Sequence, residues 1–142
     1  MASEIQICNT ALIRIGVSQP IADLAEQTVA AILCNTLYAT TRDEVLRAGP
    51  WGFARKVAAL ALIAEDPTDE WGFAYRYPAD ALAIRKIQSG IQRIDPRDQR
   101  VPYQLASDAS GFLIYTDQAG AIAEHTWRVE TADWYPPDFV SA

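Results

Sequence analysis

Apolar residues recur every three or four positions over the first 48 residues of the chain and every second position over much of the remainder. Helices are therefore predicted first and strands after them. Over 3–15, Ile5, Cys8, Leu12 and Ile15 form one apolar stripe. Ser3 and Gln6 have the spacing of a capping box: the hydroxyl accepts from a backbone N–H and the amide reaches back to the cap residue. Gly16 is placed to close this helix in a left-handed conformation, and Pro20 keeps the following loop from continuing it. A second helix is predicted over about 27–48, with Ala30, Cys34, Leu37, Tyr38, Thr41 and Val45 on one face. Arg42, Asp43, Glu44 and Arg47 are largely polar-face residues near its end. At about 1.5 Å per residue this is a rod of about 30 Å, and Gly49-Pro50 terminates it.

Residues 51–64 suit either state: alanine and leucine favour helix, while the continuous apolar run also fits a buried strand. The expectation is one helical turn at Trp51–Arg55 and an extended segment after it, then an acidic surface loop, Glu65-Asp66-Pro67-Thr68-Asp69-Glu70. From there the period is two. Trp71, Phe73, Tyr75 and Tyr77 alternate with Gly72, Ala74 and Arg76, and Pro78-Ala79-Asp80 makes a turn into a second strand over 82–88. Asp95-Pro96-Arg97-Asp98 reads as a charged loop. Further strands are predicted near 101–106, 112–116 and 121–129, separated by Asp108-Ala109-Ser110-Gly111 and Asp117-Gln118-Ala119-Gly120, both rich in turn-forming residues. Pro137-Asp138 is suited to start a C-terminal helix that is cut short at Ala142. So short a helix has little stability alone, so it either docks on a partner or belongs to a longer natural tail. The expected fold is α+β: N-terminal antiparallel helices followed by an antiparallel β-meander, with a truncated C-terminal helix. It forms one domain with a helical part over about 1–64, a β part over about 70–130 and a tail over 131–142.

At 142 residues, half of them hydrophobic and 21% charged, the chain has enough apolar surface for one real core, which argues against disorder. The formal charge of −6 argues against a surface that clamps nucleic acid, although DNA can pass such a surface without sticking. Cys8 and Cys34 lie inside helical patterns and are expected as buried free thiols. With a single histidine they make no zinc site. The N-terminus lacks the basic and apolar regions of a signal peptide. The longest apolar run, 57–64, is far too short to span a bilayer. The chain is expected to be made in the cytoplasm, with no membrane partner.

No catalytic constellation emerges. His125 is adjacent to Glu124, but neighbours in a strand point to opposite faces, so an ordinary surface or satisfied histidine is the simpler reading. Asp66, Asp69 and Glu70 lack the spacing of a calcium loop and read as solvated. Ser107-Asp108 and Ser110-Gly111 do not form a nucleophile elbow, and no glycine loop is built to cradle phosphate. Trp-Gly-Phe-Ala, however, occurs twice, at 51–54 and 71–74. A bulky anchor beside a glycine, once where a helix stops and once where a strand starts, marks a seam between the helical and β parts. Trp51, Phe53, Trp71, Phe73, Tyr75, Tyr77 and Trp134 suit either a core or an interface. Stacking on single-stranded bases is disfavoured by the acidic balance. Arg42, Asp43, Glu44 and Arg47 suit either a solvated face or ion pairs across an interface.

The order of these features resembles the tail tubular protein A family of short-tailed phages, which are head-to-tail adaptors. The resemblance spans nearly the whole chain. It rests on Asn9-Thr10-Ala11-Leu12 with Ile15-Gly16, on Cys34, Tyr38 and Arg42-Asp43-Glu44-Val45-Leu46-Arg47, and on Pro50-Trp51-Gly52-Phe53-Ala54. At that last motif Gly52 replaces the family's usual asparagine. Trp71, Tyr75-Arg76-Tyr77-Pro78-Ala79-Asp80 with Leu82, and Trp134, Pro136 and Phe139 complete it. The resemblance implies a structural virion protein at the head–tail junction. It would form a ring, typically of twelve copies, with partners in the portal and the tail tube or nozzle, and double-stranded DNA would pass through its channel. It implies no enzyme activity and no cofactor or metal. The residues it nominates for subunit or portal contacts are Arg42, Glu44, Arg47, Trp51, Phe53, Trp71, Tyr75, Trp134 and Phe139. Family members usually continue past the closing motif into an Ala- and Leu-rich helix. Another connector component (a stopper or tail-completion protein), a small ligand-binding or regulatory domain, and a hydrolase built on the acidic loop are the alternatives.

Overall fold

The computed structural model describes residues 2–63, 70–88 and 100–142. Most of the expected acidic loop at 65–70, and the charged loop at 95–98, lie outside the described residues. The chain is α+β, with two N-terminal helices, antiparallel strands in two sheets, and a short C-terminal helix. It divides into two compact units, Met1–Phe53 with Arg128–Ala142, and Ala54–Trp127.

In the first unit, α1 spans Glu4–Arg14 and α2 spans Val29–Ala48. The capping box at Ser3 forms as expected, with Ser3 N–H donating to Gln6 Oε1 at 3.0 Å and Gln6 N–H to Ser3 Oγ at 3.2 Å. At the other end Gly16 takes a φ of +91°. Its N–H bonds the Ile13 carbonyl at 3.0 Å, and Val17 N–H reaches the Leu12 carbonyl at 2.9 Å. These two bonds satisfy carbonyls that the helix would otherwise leave open. A Cβ on Gly16 would touch nothing within 4 Å, so Gly16→Ala carries a purely backbone penalty. A loss of about 1–2 kcal/mol is expected in urea denaturation; an unchanged midpoint would show that the left-handed closure is not required.

The loop after α1 returns to it through Asn9, whose amide donates to the Ile21 carbonyl at 3.0 Å and accepts from Ile21 N–H at 2.8 Å. That pair seats Ile21 in a core with Cys8, Leu12 and Ala31. Thr28 caps α2 by accepting from Ala31 N–H at 3.3 Å. Two of the expected core positions differ. Ile15, just past α1, is 77% exposed, because the helix has already ended there. On α2 the buried side runs through Ala31 and Leu46, whereas Leu37 is 57% exposed. Ala30, Cys34 and Tyr38 of the expected α2 face are kept, since they pack against the core that holds Ala31.

The short helix α3, Pro137–Ser141, belongs to this first unit. Phe139 stacks edge-on against Trp51 (centroids 5.1 Å) and Phe53 (5.0 Å) and tilts against Tyr135 (4.7 Å). Tyr135 donates its hydroxyl to the buried Val129 carbonyl at 2.5 Å.

Among the described residues the second unit holds seven strands: β1 (Arg55–Ala59), β2 (Ala61–Leu62), β3 (Phe73–Arg76), β4 (Ala81–Ile87), β5 (Tyr103–Asp108), β6 (Gly111–Thr116) and β7 (Ile122–Trp127). A single turn of 3₁₀ helix, Gly52–Ala54, precedes them, so the ambiguous stretch resolves as one helical turn and then extended chain. All pairs are antiparallel. They do not follow chain order: one sheet runs β1-β7-β4 and the other β2-β3-β6-β5. A period of two specifies which residues share a face, but not which strand lies alongside. Tyr75 and Ile114 of the second sheet pack with Ile87 and Ala123 of the first, forming the core between them. On the other face of the second sheet, Ala74, Leu113 and Tyr115 form a further cluster. Both faces of β3 and β6 are therefore apolar-packed. The turns behave as their residues predict. Asp108 accepts Ser110 N–H at 2.9 Å and both guanidinium nitrogens of Arg76 at 3.0 and 3.1 Å. Gly111 and Gly120 take the positive φ values.

Candidate functional site

The helices of the first unit leave an apolar groove open to solvent. Leu12 and Cys8 of α1, Leu37 and Tyr38 of α2, and Phe139 and Val140 around α3 line a space of about 380 Å³. Arg14 at the end of α1 donates to the Ser141 carbonyl at 3.0 Å, tying α3 to the groove wall. Leu33 and Ile15, which line the groove, are 53% and 77% exposed, and Val29 and Ile32 on α2 and Ile13 on α1 are also exposed apolar residues. Helix formation fixes part of this surface, since Val29, Leu33 and Leu37 recur every four residues, about one turn apart on the rod.

Chemistry inside the groove is subdued. Burial, with Cys34 alongside, pushes the Cys8 thiol up to about 12, so Cys8 stays protonated and a poor nucleophile. Both cysteines are free, as expected. Burial, with Tyr135 close by, also raises the Tyr38 phenol. The groove is thus suited to shape and apolar contact. Among the described residues, no three His, Cys, Asp or Glu side chains are grouped to hold a metal ion, and no helix is long and apolar enough to cross a membrane.

The residues nominated for subunit or portal contacts are dispersed. Tyr75 and Phe139 are buried in the cores of their own units, at 2% and 6% exposure. Tyr75 donates its hydroxyl to the Gln118 carbonyl at 2.7 Å. Phe53 packs on Phe139 and Tyr135. Trp51 donates from its indole to the Val45 carbonyl at 2.7 Å, covering the end of α2. Trp71 donates to Gln104 Oε1 at 3.1 Å. The two Trp-Gly-Phe-Ala copies therefore do different work: along the chain the first spans the division at Phe53 and Ala54, and the second is inside Ala54–Trp127. Arg42 is paired with Asp43 at 3.0 Å, and Asp43 also accepts from Arg128 at 3.1 Å, so this charge cluster is internal to the first unit. Glu44, Arg47 and Trp134 are exposed.

His125 is not a surface residue: it is fully buried in β7. Its Nε2 lies 3.4 Å from Asp80 Oδ1, and Lys56 Nζ donates to the other oxygen of Asp80 at 2.6 Å. Among the described residues neither ring nitrogen makes a hydrogen bond. Burial lowers the imidazole below 6.5, more than Asp80 raises it, with Lys56 and Arg85 lowering it further. Burial pushes Asp80 up, but the hydrogen bond and charge of Lys56 hold it below 3.8 overall. Sequence reasoning missed this cluster because Lys56 and Asp80 reach His125 only through the pairing of β7 with β1 and β4.

No protein-family model matches the chain, and no curated protein matches it at a significant level.

Proposed function

We infer that the chain is a structural virion protein, a head-to-tail adaptor that closes into a ring beneath a portal and continues a channel for double-stranded DNA. The observation that supports this reading most is the exposed apolar surface of α1 and α2 around the groove. Exposed apolar residues around an open apolar groove on a small protein point to a protein–protein site. Two different faces on one subunit make a head-to-tail contact that closes by rotation. The ordered resemblance to the tail tubular protein A family supports the same role. The work proposed is recognition around an axis, with the portal and the tail tube or nozzle as the other partners, at the head–tail junction of the virion. No catalytic step or cofactor is assigned.

The test is to incubate the chain with its cognate portal and image the product. Ring-shaped density added beneath the portal is the expected result; portals left unchanged at saturating protein would sink the adaptor reading. The position of that ring separates an adaptor from a stopper or tail-completion component. A second reading is favoured by the groove itself: a space of about 380 Å³ with apolar walls is within the size range of small-molecule sites. A thermal shift with an apolar ligand and no portal binding would favour it.

A further inference from the structure

Cys8 and Cys34 are the two cysteines of the chain, and both are free thiols. They come from different helices, Cys8 from α1 and Cys34 from α2. Folding brings them together: Cys34 packs against the core cluster that contains Cys8, and both line the groove. The side chains are close enough for Cys34 to act directly on the ionisation of Cys8. Their exposure differs. Cys8 is buried, whereas Cys34 is only partly covered, on a groove that opens to solvent. Such a pair has the parts of a dithiol site: one sulfur that a reagent reaches first, and a second held beside it to resolve the product.

We propose that Cys8 and Cys34 form one oxidation site, closed to an intramolecular disulfide by low-molecular-weight disulfides that enter the groove. The steps are two thiol–disulfide exchanges. Cys34 loses its proton to solvent, and its thiolate attacks one sulfur of the reagent. A Cys34–reagent disulfide forms, the reagent's S–S bond breaks, and one half leaves as thiolate. Cys8 then loses its proton and attacks Sγ of Cys34, which releases the second half as thiolate. The chain gives up two protons and two electrons, and the reagent is reduced to two thiols. Burial keeps Cys8 a weak nucleophile, so the second exchange is the slow one and speeds up as pH rises. Once Cys34 is in the mixed disulfide, it no longer carries the charge that helps to raise Cys8. The apolar walls, Leu12 and Leu37 among them, favour a neutral, apolar reagent over a charged one. The product ties α1 to α2 beside the groove and fixes the spacing of its walls. This chemistry does not depend on what the groove docks.

The experiment treats the native full chain with dithiodipyridine, a neutral aromatic disulfide, and follows thiopyridone release and the mass of the product. One reagent should be consumed per chain and two thiopyridones released, the second more slowly and at a rate that rises with pH. The product should be a monomer lighter by two hydrogens whose non-reduced digest joins the Cys8 and Cys34 peptides. Cys8→Ser should stop at a stable Cys34 adduct. In Cys34→Ser, Cys8 should react at least about tenfold more slowly than Cys34 does in the unsubstituted chain. The closed chain should unfold in urea with an equilibrium constant roughly a hundredfold smaller than that of the reduced chain. No release, two persistent adducts, a cross-linked dimer, or closure only once the chain is unfolded would overturn the site. A closed chain less stable than the reduced one would overturn closure in the native fold. Equal reactivity of Cys8 in Cys34→Ser would overturn the order of attack. The product of the unsubstituted chain is read by mass alone, so the test stands even where neither serine variant folds.

Discussion

Phe139→Ala is expected to cost the first unit about 3–5 kcal/mol, a large fraction of the stability of a small domain. Phe139 is 6% exposed and contacts three aromatic rings, Trp51, Phe53 and Tyr135, at centroid distances of 4.7–5.1 Å. Edge-to-face ring pairs add to the burial term beyond area alone. Alanine would remove the ring that all three share and leave a cavity whose walls cannot easily close. The effect should spread, because α3 has only five residues and no stability of its own. Without Phe139, nothing comparable holds α3 against the groove, and Arg14 loses the ordered Ser141 carbonyl it donates to. Urea unfolding followed by tryptophan fluorescence is the direct check, since Trp51 lies against the mutated ring. A loss under about 1 kcal/mol would mean that α3 is not part of the cooperative core. Phe139→Leu should fall between the two.

Acidification is expected to destabilise the second unit from about pH 6.5 downward. His125 is buried and its pKa is lowered in the folded chain by burial, so the unfolded chain binds the proton first. Its contribution to stability is therefore complete above about 6.5 and falls as pH drops from there to the lower folded value. The slope is at most about 1.4 kcal/mol per pH unit for one proton. Asp80 acts in the same direction at lower pH: its folded pKa lies below 3.8, so its contribution is lost as pH falls from there through the folded value. The groups facing His125 are Asp80 before β4, Lys56 on β1 and Arg85 on β4, and the two cations oppose its protonation. His125 is the sole histidine, so an NMR titration of its ring protons is unambiguous. A midpoint at or above 6.5 would refute the prediction directly, independently of whether His125→Gln folds. Where that variant does fold, the slope between neutral pH and about pH 5.5 should flatten.

Local signals were legible in the sequence wherever the physics was local. The Ser3–Gln6 box, the left-handed Gly16, the stop at Gly49-Pro50 and the glycine turns at 111 and 120 depend on residues a few positions apart, and each formed where expected. The switch from helical to alternating period also gave the α+β class. The candidate interface was less legible. An aromatic residue reads the same in a core and at an interface, because both reward buried area. Tyr75 and Phe139 proved to be core, while the exposed apolar surface came from Val29, Ile32, Leu33 and Leu37, none of them nominated.

What the sequence by itself determined was the list of elements, their order and their caps. Only the tertiary structure decided which partners they took. It left Leu37 of α2 exposed, joined the C-terminal residues to the helices, and placed β7 between β1 and β4. That last choice set His125 beside Asp80 and Lys56. The reason is physical. Caps and turns are short-range hydrogen-bonding problems that a few residues solve alone, whereas pairing and packing are won by the sum of many weak contacts between segments far apart in the chain.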